Sequence, residues 1–141
     1  MLTDDLMKTL SNSPNAKQFI KDNGSELLDC TLSEYLEHLL NSKNMKKADV
    51  IRSANLSRTY AYEIFNGKKK TSRDKLLQLA FGFGLSADET QTLLKVAREP
   101  LLYPRVERDV FILAALYNKN TLLECNEILL DNNLKPLDSE K

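Results

Sequence analysis

Arg58, Thr59, Tyr62 and Glu63 are the side chains whose types and spacing point most directly to a chemical task. Arg58 and Tyr62 stand at i and i+4, as do Thr59 and Glu63, so on a helix they share one side. Ala61, Ile64 and Phe65 fall roughly opposite and face inward. A helix whose first two turns project long polar and aromatic groups can reach base edges in a major groove. The surrounding charge suits that task. Between Lys43 and Lys75 stand ten cations, Lys43, Lys46, Lys47, Arg52, Arg58, Lys68, Lys69, Lys70, Arg73 and Lys75, against Asp49, Glu63 and Asp74. The chain as a whole is neutral, with 20 Lys plus Arg and 20 Asp plus Glu, so the segment's excess of seven is balanced by −7 elsewhere. A basic patch centred on such a helix fits phosphate binding, and the acidic remainder discourages a polyanion from settling elsewhere.

Catalysis has little to work with. A hydrolase needs a nucleophile beside a base, and the single histidine, His38, lies off the apolar stripe of its helix. Glu34/Glu37 and Glu124/Glu127 are carboxylate pairs at i,i+3, the usual pattern of a solvated helix face. No HExxH, CxxC, calcium loop or phosphate loop occurs, so neither a metal nor a cofactor is expected. Cys30 and Cys125 follow no metal spacing and are expected as free thiols in a reducing, cytoplasmic setting. The N-terminus has no signal-like character. The longest apolar run, Val110 to Leu116, is far short of a membrane span.

The elements that must position Arg58 and its neighbours are two short helices. Val50, Ile51 and Ala54 sit at helical spacing in the first. The second, about 57–66, has Ser57 as its N-cap and Gly67 as its stop. Asn55 between them tolerates a left-handed turn, and Leu56 can plug the angle. Two helices, a tight turn and the basic exit Lys68-Lys69-Lys70 describe a helix-turn-helix.

The rest reads as more helix. Residues 2–10 have amphipathic spacing, and a second short helix is expected over 16–21. Thr31-Leu32-Ser33-Glu34 is a capping box opening a helix to about Ser42. Ser72-Arg73-Asp74 starts another, with Gly82 and Gly84 marking its exit. Ser86 to Glu89 is a second capping box, opening a helix to about Glu99. Pro100 and Pro104 break the chain. A helix over about 105–117 and one over about 121–132, with Thr121 and Glu124 as a third box, form a C-terminal hairpin. Its apolar stripe, Val106, Val110, Phe111, Ile112, Leu113, Ala114 and Leu116, is wider than one packing contact requires. The hairpin can wrap onto its own domain or bury against a second copy or another protein. The patterning shows no heptads long enough for a coiled coil and no internal repeat.

The segment from about Leu32 to Ala97 resembles the lambda-repressor-like, Xre-type helix-turn-helix family. The residues that carry the likeness are the turn at Asn55, where the family usually has Gly, and the helix end Ile64-Phe65-Asn66-Gly67. The resemblance implies an all-α fold. Its five-helix DNA-binding domain would span 31–99, between an N-terminal extension with short helices (1–30) and the C-terminal hairpin (100–141). It also implies roles. Arg58, Thr59 and Glu63 occupy base-reading positions, with Tyr62 on the same face. Lys47 stands where the start of the first helix of the pair holds the DNA backbone, and Asn66 at a phosphate-contacting position. Lys46, Ser57, Lys68, Lys69 and Lys70 complete the expected phosphate grip.

The expectation is therefore a cytoplasmic, non-enzymatic, sequence-specific regulator of bacterial or phage type. Its partner would be double-stranded DNA, bound as a homodimer. A protein-interaction module, such as an antitoxin or signalling adaptor using the hairpin, is the alternative.

Overall fold

The computed structural model describes residues 3–12, 15–17 and 30–138. Among these the regular structure is eight α-helices and no strand: α1 (Thr3–Asn12), α2 (Leu32–Ser42), α3 (Lys47–Ser53), α4 (Arg58–Phe65), α5 (Arg73–Phe83), α6 (Ala87–Val96), α7 (Glu107–Tyr117) and α8 (Leu122–Asp131). The all-α expectation is met. The helix expected over 16–21 extends outside the described residues.

Local chemistry accounts for the boundaries. All three expected capping boxes close. Thr31, Ser86 and Thr121 each accept the N–H of the residue three ahead, and Glu34, Glu89 and Glu124 reach back to the cap N–H. Helix ends use left-handed residues, at Asn44, Asn55, Gly67, Gly84, Arg98, Lys119 and Asn133. Arg98 explains why α6 stops at Val96 rather than near Glu99. At the start of α7, Tyr103 and Val106 form a turn instead of helix. The Val106 N–H meets the Tyr103 carbonyl at 3.0 Å, and the Tyr103 N–H is held by Asp109 at 2.9 Å.

One hydrophobic cluster runs through the described chain from Leu36 to Leu137. α5 lies at its centre, with Leu76, Leu77, Leu79 and Ala80 fully buried. Gly82 does not mark the exit of this helix, as its sequence position suggested. It lies inside α5 where α3 crosses closely: a Cβ there would stand 2.7 Å from the Val50 carbonyl oxygen. Gly84, at φ 70°, is the true C-terminal stop. Gln78, also fully buried, donates to the carbonyl of Ala54 at 2.9 Å and so ties α5 to the end of α3.

The hairpin α7–α8 wraps onto its own domain. Ile112, Ala115, Leu116, Leu122, Cys125, Leu129 and Leu137 join the common cluster. Burial pushes the Cys125 thiol up to about 11, outweighing the lowering effect of the Arg108 charge. The wide stripe of α7 divides. Ile112, Ala115 and Leu116 are buried, whereas Val106, Val110 and Ala114 are exposed, as are Leu123 and Leu130 on α8.

Although the patterning shows no internal repeat, corresponding contacts recur in the fold at a fixed spacing. Arg73 forms a two-bonded ion pair with Asp109 at 3.0 and 2.8 Å, and Arg108 forms one with Asp74 at 3.0 and 3.1 Å. These residues are related by a constant offset of 35, and the offset carries through the chain without a gap from 73–102 onto 108–137. Only six of those thirty positions are identical: Arg73/Arg108, Asp74/Asp109, Ala80/Ala115, Glu89/Glu124, Leu94/Leu129 and Leu102/Leu137. Similarity that sparse is visible only when the contacts are known.

Candidate nucleic-acid interface

α3 and α4 meet across a turn built by three residues. Asn55 takes φ 53°, and the Leu56 N–H closes back on the Ile51 carbonyl at 3.3 Å. Leu56 then packs, half-buried, on the core. Ser57 caps α4 by accepting the Tyr60 N–H at 3.3 Å. Inside, Ala61, Ile64 and Phe65 are buried. That burial fixes the rotation of α4, because residues on the far side of a 3.6-residue helix must then point outward.

Arg58 and Thr59 are exposed at the outward-facing start of α4. Among the described residues Arg58 has no ion pair or side-chain hydrogen bond. Tyr62 and Glu63 are half-buried on the same side. The Tyr62 ring lies 5.6 Å from the ammonium of Lys47, which also sits 5.1 Å from the Phe65 ring and pairs with Glu37 at 3.2 Å. Glu63 is 3.9 Å from Lys69, whose ammonium lies 4.8 Å from the Tyr60 ring. Tyr60 in turn hydrogen-bonds Thr71 through their hydroxyls at 3.2 Å. The two tyrosines are therefore held by cations and by the core, leaving Arg58 and Thr59 as the freest groups of the face.

The basic patch is thinner than the sequence count suggests. Of its ten cations, Lys43 pairs with Glu89, Lys47 with Glu37, Arg52 with Asp49, Lys69 with Glu63 and Arg73 with Asp109, and Lys75 is also engaged. The Arg73 guanidinium is committed to Asp109 and to the carbonyls of Pro100 and Leu101. Lys46, Lys68 and Lys70 remain exposed, as does Asn66, the C-cap of α4. Ser57 keeps a hydroxyl proton to donate, although its oxygen is used as the cap. The carboxyl of Glu89 is penalised by burial. Hydrogen bonds from Ser86 and Lys43, and the Lys43 charge, outweigh that and hold it below the usual carboxylate range.

One contributor was missed in the sequence. Arg98, left-handed after α6, lines an open groove of about 520 Å³ together with Lys68, Lys69, Lys70 and the start of α2. It lies about thirty residues from those lysines along the chain, and no local pattern joins them. No side-chain cluster among the described residues could hold a metal ion, and no helix there is long and apolar enough to cross a membrane. His38 is exposed. No protein-family model, no curated protein and no solved structure matches the chain.

Proposed function

We propose that the chain is a sequence-specific, double-stranded DNA-binding regulator that sets α4 in the major groove in the manner of a helix-turn-helix. The observation that supports this best is the exposed start of α4. Arg58 stands there without an acidic partner among the described residues, and Lys46, Lys68 and Lys70 are exposed on the flanking segments. Arg58 reads guanine through O6 and N7, Glu63 accepts from cytosine N4, and Thr59 or Tyr62 touches a thymine methyl. Lys46, Lys47, Ser57, Asn66 and Lys68 to Lys70 hold phosphates and orient the helix. One such helix makes few base contacts, so two copies on half-sites about 34 Å apart complete the reading in the cytoplasm of a bacterial-type cell.

Binding to a random DNA pool, followed by selection of the retained sites, tests this. Arg58→Ala relaxes preference at one or two positions, costing roughly 1–3 kcal/mol on the selected site and little on random DNA. Lys70→Ala weakens both alike and lowers the slope of log affinity against log salt by about 1. Equal retention of all sequences by the wild-type protein, at low and moderate salt, refutes the specific reading.

A second reading rests on a separate observation. Val106, the N-cap of α7, and Val110, Tyr117, Leu123 and Leu130 on α7 and α8 are large apolar side chains left exposed. As a protein-interaction module, an antitoxin or adaptor, the chain would use this hairpin face and leave α4 idle. Retardation of genomic fragments in a gel separates the two readings.

A further inference from the structure

The reciprocal pairing of the two C-terminal hairpins extends well beyond the charged residues. Call residues 73–102 unit one and residues 108–137 unit two. Arg73 Nε donates to the Pro100 carbonyl at 2.8 Å, and Arg108 Nε to the Lys135 carbonyl at 3.0 Å. The second donor of each guanidinium reaches the next carbonyl, of Leu101 and of Pro136. Gln91 clamps the Leu102 backbone, and its equivalent Asn126 accepts the Leu137 N–H at 2.9 Å. Each unit opens its second helix with a capping box, Ser86/Glu89 and Thr121/Glu124. Both turn between helices on a left-handed residue, Gly84 and Lys119, and leave the second helix on another, Arg98 and Asn133. Every one of these pairs is separated by 35 residues.

The direction of the cross-contacts is the informative part. Unit one's Arg meets unit two's Asp, and unit two's Arg meets unit one's Asp. Contacts of the form i to j and j to i define an isologous interface, the kind that two identical subunits make about a two-fold axis. A repeat stacked by translation would present unlike faces to each other. The pairs are also well enclosed, with the Asp109 side chain 5 % and the Asp74 side chain 12 % exposed. Each charge therefore depends on its partner from the other unit.

We propose that unit two is an internal stand-in for a second copy of unit one, and that the face of unit one beneath it is a homotypic docking surface whose partner is another copy of this chain. Release of α7–α8 lets two copies pair through their first units, Arg73 of each with Asp74 of the other. Release swings the hairpin about the exposed link at 103–106, breaks the Tyr103–Asp109 and Asn55–Asp138 hydrogen bonds, and uncovers the core face that the second copy then covers. The resulting dimer carries two copies of α3–α4 related by a two-fold axis, while the closed chain occupies the same face with its own hairpin. The C-terminal unit thus competes with self-association through this surface. The inference stands on the duplicated contacts and does not require that α4 bind DNA.

Two full-length variants test it. In the first, residues 108–137 are replaced by the chain's own 73–102 sequence, which changes twenty-four of thirty positions. Equivalent units give a protein that still melts cooperatively with wild-type helical content, whereas an unfolded chain overturns the equivalence. In the second, Arg108→Ala with Asp109→Ala removes unit two's half of both pairs. Sedimentation then shows self-association at least tenfold tighter than in the wild type, and adding Arg73→Ala with Asp74→Ala abolishes that gain. If the double variant loses its cooperative melt, the same comparison is made with Asp109→Asn, which keeps an acceptor for the Tyr103 N–H and removes the charge opposite Arg73. Association no tighter than wild type in the folded variant, or a gain that persists without Arg73 and Asp74, overturns the docking surface.

Discussion

Replacing Gly82 by alanine tests the packing that places the candidate DNA-reading helix. In an ordinary helix interior this change stabilises by roughly 0.5–1 kcal/mol, because glycine loses more backbone entropy on folding. Here the new methyl would lie 2.7 Å from the Val50 carbonyl oxygen, 2.9 Å from the Ala54 Cβ and 3.1 Å from the Ala54 nitrogen. All three atoms are backbone or Cβ, so no side-chain rotation relieves the contact. α3 must instead back away from α5 by several tenths of an ångström. Overpacking of this kind costs about 1–3 kcal/mol. Subtracting the helix-propensity gain leaves a net loss centred on about 1 kcal/mol and reaching about 2.5 kcal/mol, or a fall in Tm of roughly 3–4 °C at the centre for a chain of this size. Urea and thermal denaturation followed by circular dichroism measure it. Gly84→Asn is the control, because nothing lies within 4 Å of a Cβ at Gly84 and asparagine tolerates its φ of 70°. A Gly82→Ala protein as stable as wild type, or more so, refutes the argument that α3 and α5 are in backbone contact. If α3 carries α4 with it, the same variant also loses affinity for selected DNA more than for random DNA.

Other outcomes follow from local chemistry. Thr121→Ala removes the cap of α8 and costs about 1 kcal/mol, read as a shift in the urea midpoint without a change in slope. At about pH 8 a thiol reagent labels the half-buried Cys30 first, while the buried Cys125, its thiol pushed up to about 11, reacts only as fast as the fold opens. Rapid labelling of both would place Cys125 outside the core. The Glu89 carboxyl is held below its ordinary 4.5. Its contribution is therefore complete above that value and is lost as pH falls through the lower, folded value. Glu89→Gln keeps the cap acceptor but not the charge, so its stability falls less than that of wild type between about pH 6 and pH 3. Identical acid limbs for the two proteins would deny the charge any role.

Helix identity and most helix boundaries were legible along the chain because their causes are local. Thr31, Ser86 and Thr121 satisfy N–H groups within three residues of themselves, and Gly67 and Gly84 stop helices by their own φ. The outward face of α4 followed from the spacing of Ala61, Ile64 and Phe65, which are all buried. What escaped was decided by partners distant in sequence. Arg73 counts as one more cation of a basic stretch until Asp109 closes on it from 36 residues away. Gly82 resembles a helix end until α3 crosses it. The same limit hid the contacts that recur 35 residues apart. A thirty-residue unit can change four-fifths of its side chains and keep its shape, because hydrophobic positions tolerate exchange while paired charges and backbone clamps do not. Composition and periodicity, which act over one or two helical turns, determined an all-helical chain with an exposed polar face on α4. Burial and ion pairing, which act across the whole fold, decided which of its cations stay exposed and which face of unit one is already taken.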